Sequence, residues 1–173
     1  CIIRENSVLS LNIWKLAKFL EEHGVPDIVL EVGSRSIQGA GTLRHYFTTS
    51  SQFVGLDMIK GDGVDLVLNA HDIKDTLSEN SFDMVLCFDT LEHDDKFWVT
   101  VENMKWVLKP GGYLLIGVPS RNCPLHEHPS DYWRFMEPAA YVMMEGMVEV
   151  VVLPEIHPEN QIEDEIYFYG RKP

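Results

Sequence analysis

Apolar residues along this chain follow two patterns, one of helical spacing and one of short continuous runs. Between Leu9 and Leu20 they recur at helical spacing, which predicts a helix that ends before residues 23–26. Strand-length apolar runs predict strands at 27–33, 52–57, 64–68, 82–88, 113–118, 148–153 and 166–169. Helical spacing returns at 94–108 and 138–145. Alternating strands and helices predict an α/β fold with a doubly wound, mostly parallel sheet that helices cover on both faces.

Length and charge narrow the class of protein. With 173 residues, the chain has room for one domain over 1–173, which includes a helical N-terminal segment at 1–25. The formal net charge of −13 opposes binding to a nucleic-acid backbone, so we expect no nucleic-acid partner. The apolar runs are too short to cross a membrane, and the first residues carry no signal-peptide pattern. We therefore expect a cytoplasmic enzyme without a membrane partner.

A glycine turn follows the first predicted strand. Gly33 ends that strand, and Ser34 and Gly39 belong to the same loop. Glycine has no Cβ, so the backbone can approach a ligand closely. The dinucleotide fingerprint GxGxxG is absent because Arg35 stands where its second glycine would be. Arg35 would crowd a pyrophosphate, whereas a ligand without phosphates tolerates it better.

Acidic residues follow the next two predicted strands. Asp57 ends the second strand and could accept two hydrogen bonds from the ribose hydroxyls of an adenosine, or it could cap a turn. Asp72 lies just past the third strand and could accept from an adenine amino group while the Ile73 backbone donates to a ring nitrogen. Asp72 could instead cap the helix that follows. With the glycine turn, this spacing favours a ligand that contains adenosine.

In this order the motifs resemble those of the class I S-adenosylmethionine-dependent methyltransferases. The resembling segments are Val29-Leu30-Glu31-Val32-Gly33, Gly55-Leu56-Asp57, Ala70-His71-Asp72, Phe82-Asp83-Met84-Val85, Leu91-Glu92-His93 and Leu108-Lys109-Pro110-Gly111-Gly112-Tyr113. The resemblance implies a seven-stranded sheet whose last strand is antiparallel, and S-adenosylmethionine as cofactor. The cofactor-binding residues that we expect are Glu31, Gly33, Ser34, Gly39, Asp57, Met58, Asp72, Ile73 and Phe88. Arg35 departs from the family pattern, which more often has glycine there.

A long segment without helix or strand pattern, residues 119–136, follows the fifth predicted strand and should fold over the transferred methyl group. We expect a general base among His126, His128 and His93, because an oxygen acceptor must lose a proton. Acceptor-binding residues are expected at Asp131, Tyr132, Trp133 and Arg134. Alternatively, the two aromatic residues only cover the end of the sheet. His126, His128 and Asp131 are the nearest approach to a metal-ligand cluster, but their spacing is no standard zinc pattern, so we predict no metal.

The sequence therefore favours an enzyme that transfers a methyl group to a small-molecule acceptor, such as a polar metabolite or a sugar. One alternative is a nicotinamide-dependent oxidoreductase, which would share the sheet and Asp57. The other is a catalytically silent binding module, because a fold does not fix a function.

Overall fold

A computed structural model describes residues 8–37, 42–126, 130–156 and 163–173. Its α-helices are α1 (Val8–His23), α2 (Ile73–Thr76), α3 (Phe97–Val107) and α4 (Glu137–Met143). Its strands are β1 (Ile28–Val32), β2 (Gln52–Asp57), β3 (Leu66–Val67), β4 (Phe82–Phe88), β5 (Leu108–Pro119), β6 (Val148–Ile156) and β7 (Glu163–Arg171). A 3₁₀ helix, Leu43–Phe47, lies between β1 and β2.

All seven strands belong to one sheet, in the order β3-β2-β1-β4-β5-β7-β6. The pairs among β1 to β5 are parallel, and β7 is antiparallel to both β5 and β6. The predicted mostly parallel sheet with an antiparallel last strand is thus confirmed. The strand order reverses between β1 and β4, and ligands of such sheets bind beyond the carboxyl ends of the strands at this point.

Helices pack on both faces of the sheet, as predicted. Side chains of β4 alternate between the two: Met84 and Leu86 share a core cluster with Phe19 of α1. Val85 and Cys87 belong to the cluster on the opposite face, together with residues of α3 and α4. Because β4 is covered on both sides, its sequence is nearly all apolar.

The observed strand boundaries differ most from the predicted ones at β5. The strand predicted at 113–118 begins at Leu108 instead, so residues 109–112 lie within β5. Phe82 is opposite Leu108 and Met84 is opposite Tyr113, so these four residues form an irregularity in the ladder. Gly111 has a φ of +81°, which glycine adopts readily. The glycines therefore produce a bulge rather than a turn.

Smaller differences concern strand lengths and the segment after β5. β3 has only two residues, whereas β6 and β7 have nine each. In the described parts of 120–136 the backbone forms one isolated bridge, between Ser120 and Phe135, and neither helix nor strand. Among the described residues, no helix has both the length and the apolar character needed to cross a membrane. The cytoplasmic location stays a prediction.

Candidate active site

A cavity of about 380 Å³ lies at the carboxyl ends of the parallel strands. Its wall includes residues that follow β1, β2, β3 and β4, and two residues of the 119–136 segment. Its lining residues include Gly33, Arg35, Asp57, Met58, Ile59, Leu68, Asn69, Ala70, His71, Asp89, Thr90, His93, Asp94, Asp95, Ser130 and Tyr132. The position agrees with the switch point of the sheet, and the volume suits a small organic ligand.

Gly33 joins two turns of this wall. Its φ is +82°, and a Cβ there would lie 2.0 Å from Oγ1 of Thr90. The space that the glycine leaves is therefore filled by the turn after β4, not left open for a ligand. Ser34 is buried and does not line the cavity, although its backbone N–H, like that of Gly33, donates to the carbonyl of Leu56. Gly39 lies outside the described residues.

Glu31, near the end of β1, is a buried carboxyl group. Only 9% of the residue is exposed, and Oε2 has no hydrogen-bond partner among the described residues. Burial raises the pKa of Glu31 to about 8, because desolvation penalises the charged form. The residue does not itself line the cavity.

Asp57 lines the cavity and also holds the adjoining loops. Its Oδ1 accepts from the backbone N–H of Ile59 at 2.8 Å, and its Oδ2 accepts from that of Arg35 at 3.4 Å. The Arg35 Nε lies 3.9 Å from Oδ1. A carboxylate has about four acceptor positions, so turn capping and ligand binding are compatible here. Met58, the next residue, is 61% exposed and gives the cavity an apolar surface.

The turn after β3 contributes different residues from those expected. Asp72 is exposed and makes no capping hydrogen bond, while Ile73 is fully buried in the core, and neither lines the cavity. The preceding residues 69–71 line it instead. Nε2 of His71 lies 2.7 Å from Oδ1 of Asp94. Ile73 begins α2 and faces the core, which turns the start of that helix away from the cavity.

The turn after β4 brings Asp89 into the cavity wall. Asp89 has a φ of +47°, an uncommon conformation for a residue with a side chain and one that concentrates at functional sites. Phe88 does not line the cavity; its ring packs 5.8 Å from that of Tyr167. Its carbonyl accepts from Oγ1 of Thr90 at 2.8 Å. Phe88 therefore supports the turn from behind.

The 119–136 segment is held together by a buried ion pair. The Arg134 guanidinium donates to both oxygens of Asp131, whose side chain is 1% exposed, and to the carbonyls of Cys123 and Pro124. Hydrogen bonds from Arg134 lower the pKa of Asp131 to about 2. Neither residue lines the cavity, so the expected acceptor contacts of this pair are replaced by an internal one.

Tyr132 and Trp133 differ in position: only one of these two aromatic residues faces the cavity, where it could contact an acceptor. Tyr132 lines the cavity. Trp133 does not; its Nε1 donates to the carbonyl of Asp94 at 2.8 Å, and its ring packs 5.5 Å from that of Phe97. Trp133 therefore ties the segment to the residues before α3, while Tyr132 is available to a ligand.

Two of the three candidate bases meet at a carboxyl group that the sequence analysis did not select. Glu92 is 0% exposed, and its Oε1 lies 3.3 Å from Nε2 of His126 and 3.7 Å from Nε2 of His93. His93 also lines the cavity. The hydrogen bond with Glu92 raises the pKa of His126 to about 9, so in this arrangement His126 is protonated near neutral pH and has no free site for a proton. His128 lies outside the described residues.

The comparisons with known proteins agree with this architecture. A family model described as a methyltransferase domain matches residues 30–116, half of the chain. The chain therefore belongs to this methyltransferase domain family, which confirms the class predicted from the sequence. No curated protein matches the chain closely enough to count as a relative.

Solved structures with the same fold include several methyltransferases. One is a S-adenosylmethionine-dependent methyltransferase from Archaeoglobus fulgidus, with a TM-score of 0.72 at 12% identity, covering 95% of this chain and 94% of that one. Another is the 1,6-didemethyltoxoflavin N1-methyltransferase of Burkholderia thailandensis, with bound 1,6-didemethyltoxoflavin and S-adenosylhomocysteine. Its TM-score is 0.69 at 18% identity, covering 94% of this chain and 78% of that one. At these identities the likeness establishes the fold.

Proposed function

We propose that this enzyme transfers the methyl group of S-adenosylmethionine to a polar small-molecule acceptor. One observation carries the proposal: a single cavity runs from Asp57, at the end of β2, to His93 and Tyr132 beyond β4. It therefore joins a surface suited to adenosine with a surface that carries hydrogen-bonding side chains. The described strands all belong to one sheet, which supports a single domain over 1–173.

The residues at the β1–β3 end fit the cofactor. The Asp57 carboxylate keeps acceptor positions for ribose hydroxyls, and Met58, Ile59 and Leu68 offer apolar contacts for an adenine ring. The buried Oε2 of Glu31 has no partner among the described residues, and the ammonium group of a bound amino acid would supply one. The cofactor supplies a methyl group already activated on a positively charged sulfonium.

The chain's own residues have to orient the acceptor and keep water out. Asp57, Asp89, Asp94 and Asp95 give the cavity wall an acidic character that favours a cationic ligand. Ser130 and Tyr132 bring the 119–136 segment to the wall, where it covers the end beyond β4.

The acceptor is proposed from the character of that end. His93, Asp95 and Tyr132 can donate or accept hydrogen bonds there, which favours a polar metabolite or a sugar over an apolar one. The Burkholderia enzyme of the same fold holds a small molecule as its acceptor, which is consistent with this size.

Calorimetric titration tests the cofactor assignment. We expect the chain to bind S-adenosylhomocysteine and not NAD, and we expect Asp57→Ala to weaken that binding while Asp75→Ala, on exposed α2 surface, leaves it unchanged. Binding of NAD without S-adenosylhomocysteine would favour the oxidoreductase. Binding of S-adenosylhomocysteine without turnover on a broad panel of polar acceptors would favour the silent module.

A further inference from the structure

Glu92, His93 and His126 form a compact group of metal-ligating side chains beside the cavity. One oxygen of Glu92 and one ring nitrogen of each histidine all lie within 4.8 Å of one another. Glu92 and His93 follow β4, whereas His126 comes from the 119–136 segment, so the fold rather than the local sequence brings them together.

The backbone orients both imidazoles in the same sense. Nδ1 of His93 lies 2.5 Å from the carbonyl of Ser130, and Nδ1 of His126 lies 3.2 Å from that of Pro124. A carbonyl only accepts, so Nδ1 of His93 carries a proton, whereas Nδ1 of His126 lies between the Pro124 carbonyl and Nη2 of Arg134, which is 3.4 Å away and only donates. Nε2 of each ring is directed toward Oε1 of Glu92. Metal-binding histidines commonly donate their second ring N–H to a carbonyl, as His93 does here.

The carboxyl group at the centre is incompletely satisfied. Glu92 is 0% exposed, and its Oε2 has no hydrogen-bond partner among the described residues. A buried carboxyl oxygen without a partner is costly, and the other oxygen of the same group, Oε1, faces Nε2 of both histidines. A cation bound through both oxygens of Glu92 would give Oε2 a partner and would take the place of the proton between Oε1 and Nε2 of His126.

We propose that Glu92, His93 and His126 bind a divalent transition-metal ion. Two imidazole nitrogens and one carboxylate suit zinc, manganese or iron(II), whereas Ca²⁺ and Mg²⁺ prefer sites made of oxygen ligands. The 3.3 and 3.7 Å distances from Glu92 to the two imidazoles also suit such an ion. For comparison, a tetrahedral ion with bonds of about 2.1 Å holds its ligands about 3.4 Å apart.

The structure around His126 supports the ligand geometry. Its backbone N–H donates to Asp131 at 2.7 Å, and Arg134 fixes Asp131 from the other side. The second candidate group, His71, Asp94 and Asp95, differs because Asp94 already binds both His71 and Thr100. Both carboxylate oxygens of Asp94 therefore have partners without an ion.

The site also indicates an acceptor class, an inference that rests on the proposed function. His93 belongs both to this group and to the cavity wall, so the ion would lie beside the acceptor end. Metal ions of this kind bind and polarise oxygen atoms. The acceptor that this site favours therefore has a hydroxyl or carboxyl oxygen.

A cobalt titration tests the metal site without any need for an acceptor. Metal-free protein is titrated with Co²⁺ and Zn²⁺, and with Mg²⁺ for comparison, while the visible cobalt spectrum and calorimetric heats are recorded. We expect one equivalent of Co²⁺ or Zn²⁺ per chain. Affinity should fall by at least about tenfold in Glu92→Gln and His126→Gln, since each removes a ligand. His45→Gln, which changes an exposed histidine of the 3₁₀ helix Leu43–Phe47, should bind as the wild type does.

Unchanged affinity in both folded variants, or no binding by the wild type, would overturn the proposal. S-adenosylhomocysteine binding, measured in parallel, separates this failure from a failure of the proposed function. If a variant does not fold, Mn²⁺ added to the wild type decides the matter by NMR. The ring signals of His93 and His126 should broaden before that of His45, and equal broadening of all three would contradict the site.

Discussion

The two ends of the cavity are built in different ways. At the end near β1–β3, Gly33 and Asp57 lie where neighbouring parallel strands finish, and backbone bonds hold the turns between them. At the other end, Glu92 and His126 are 34 positions apart in the sequence. They meet because Arg134 donates to the carbonyls of Cys123 and Pro124 and because the backbone N–H of Tyr132 donates to the carbonyl of Glu92. Strand register thus determines the first end, whereas a polar network that must form as a unit determines the second.

Replacement of Arg134 should have the largest effect on the free energy of unfolding, because Arg134 makes the central contacts of that network. Arg134→Ala leaves the carboxylate of Asp131 buried without its partner, and we expect it to lower the free energy of unfolding by about 3–5 kcal/mol. Urea unfolding measures this. Arg171→Ala, which breaks the more exposed pair with Glu149, should have a clearly smaller effect. Equal losses would mean that the segment is not organised by its ion pair.

At the β1–β3 end of the cavity, Glu31→Gln should change the free energy of unfolding and the affinity for the cofactor in opposite directions. The pKa of Glu31 in the folded chain, about 8, is above its unfolded value, so its contribution to stability is lost as pH rises from about 4.5 through 8. The variant stays neutral, and its stability relative to the wild type should increase by about 3 kcal/mol between pH 5 and pH 8.5. Urea midpoints at the two pH values test this.

The same variant should bind S-adenosylhomocysteine more weakly, because an ammonium group that reaches Oε2 would favour the ionised form of Glu31, and a neutral amide offers no such charge. A gain in stability together with a loss of affinity would mark Glu31 as a residue retained for binding. Parallel pH profiles of stability for variant and wild type would refute the raised pKa.

Asp57→Ala should weaken binding of cofactor and demethylated product alike, since both carry the same ribose. The expected loss is about 1.5–3 kcal/mol, or about ten- to a hundredfold in affinity. Asp72→Ala should act less strongly, in line with its exposed position outside the cavity wall. Calorimetry with S-adenosylhomocysteine measures both. A larger effect for Asp72 than for Asp57 would show that adenosine lies the other way round.

Trp133→Phe should have the smallest effect. The substitution keeps an aromatic ring against Phe97 but removes the hydrogen bond from Nε1 to the carbonyl of Asp94. We expect a loss of about 1 kcal/mol in unfolding free energy and cofactor affinity within about a few-fold of the wild type. Thermal unfolding and calorimetry check the two expectations. A large loss of cofactor affinity would mean that the two ends of the cavity are not independent.

Sequence patterns predicted the strands of the sheet, because a strand buried on both faces must be apolar along its length, as β4 is. Of the residues expected to bind the cofactor, Gly33, Asp57 and Met58 line the cavity, and their contact with the cofactor stays a prediction. The sequence patterns were less informative where a side chain could face either way. From the sequence alone, Ile73 could contact a ligand or pack in the core. In the structure it is buried in the core, because α2 packs there.

The polar network beyond β4 was the least predictable part. The sequence led us to expect that Asp131 and Arg134 bind the acceptor, but in the structure they bind each other and do not line the cavity. The sequence did not predict Glu92 as a site residue, because the residues next to it do not indicate that it is fully buried. Contacts across 34 positions depend on how a loop closes, which hydrophobic periodicity does not encode.

The place of β7 in the sheet has a consequence for synthesis on the ribosome. β6 contacts the sheet only through β7, although β6 is made first. Until β7 emerges, the nascent chain therefore carries an unpaired β6 and an open edge on β5, both of which can pair with another chain. Completion of β7 pairs the edge of β5 and one side of β6 at once and leaves the outer side of β6 as the edge of the sheet, so protection from aggregation should arrive largely in a single step of translation rather than strand by strand.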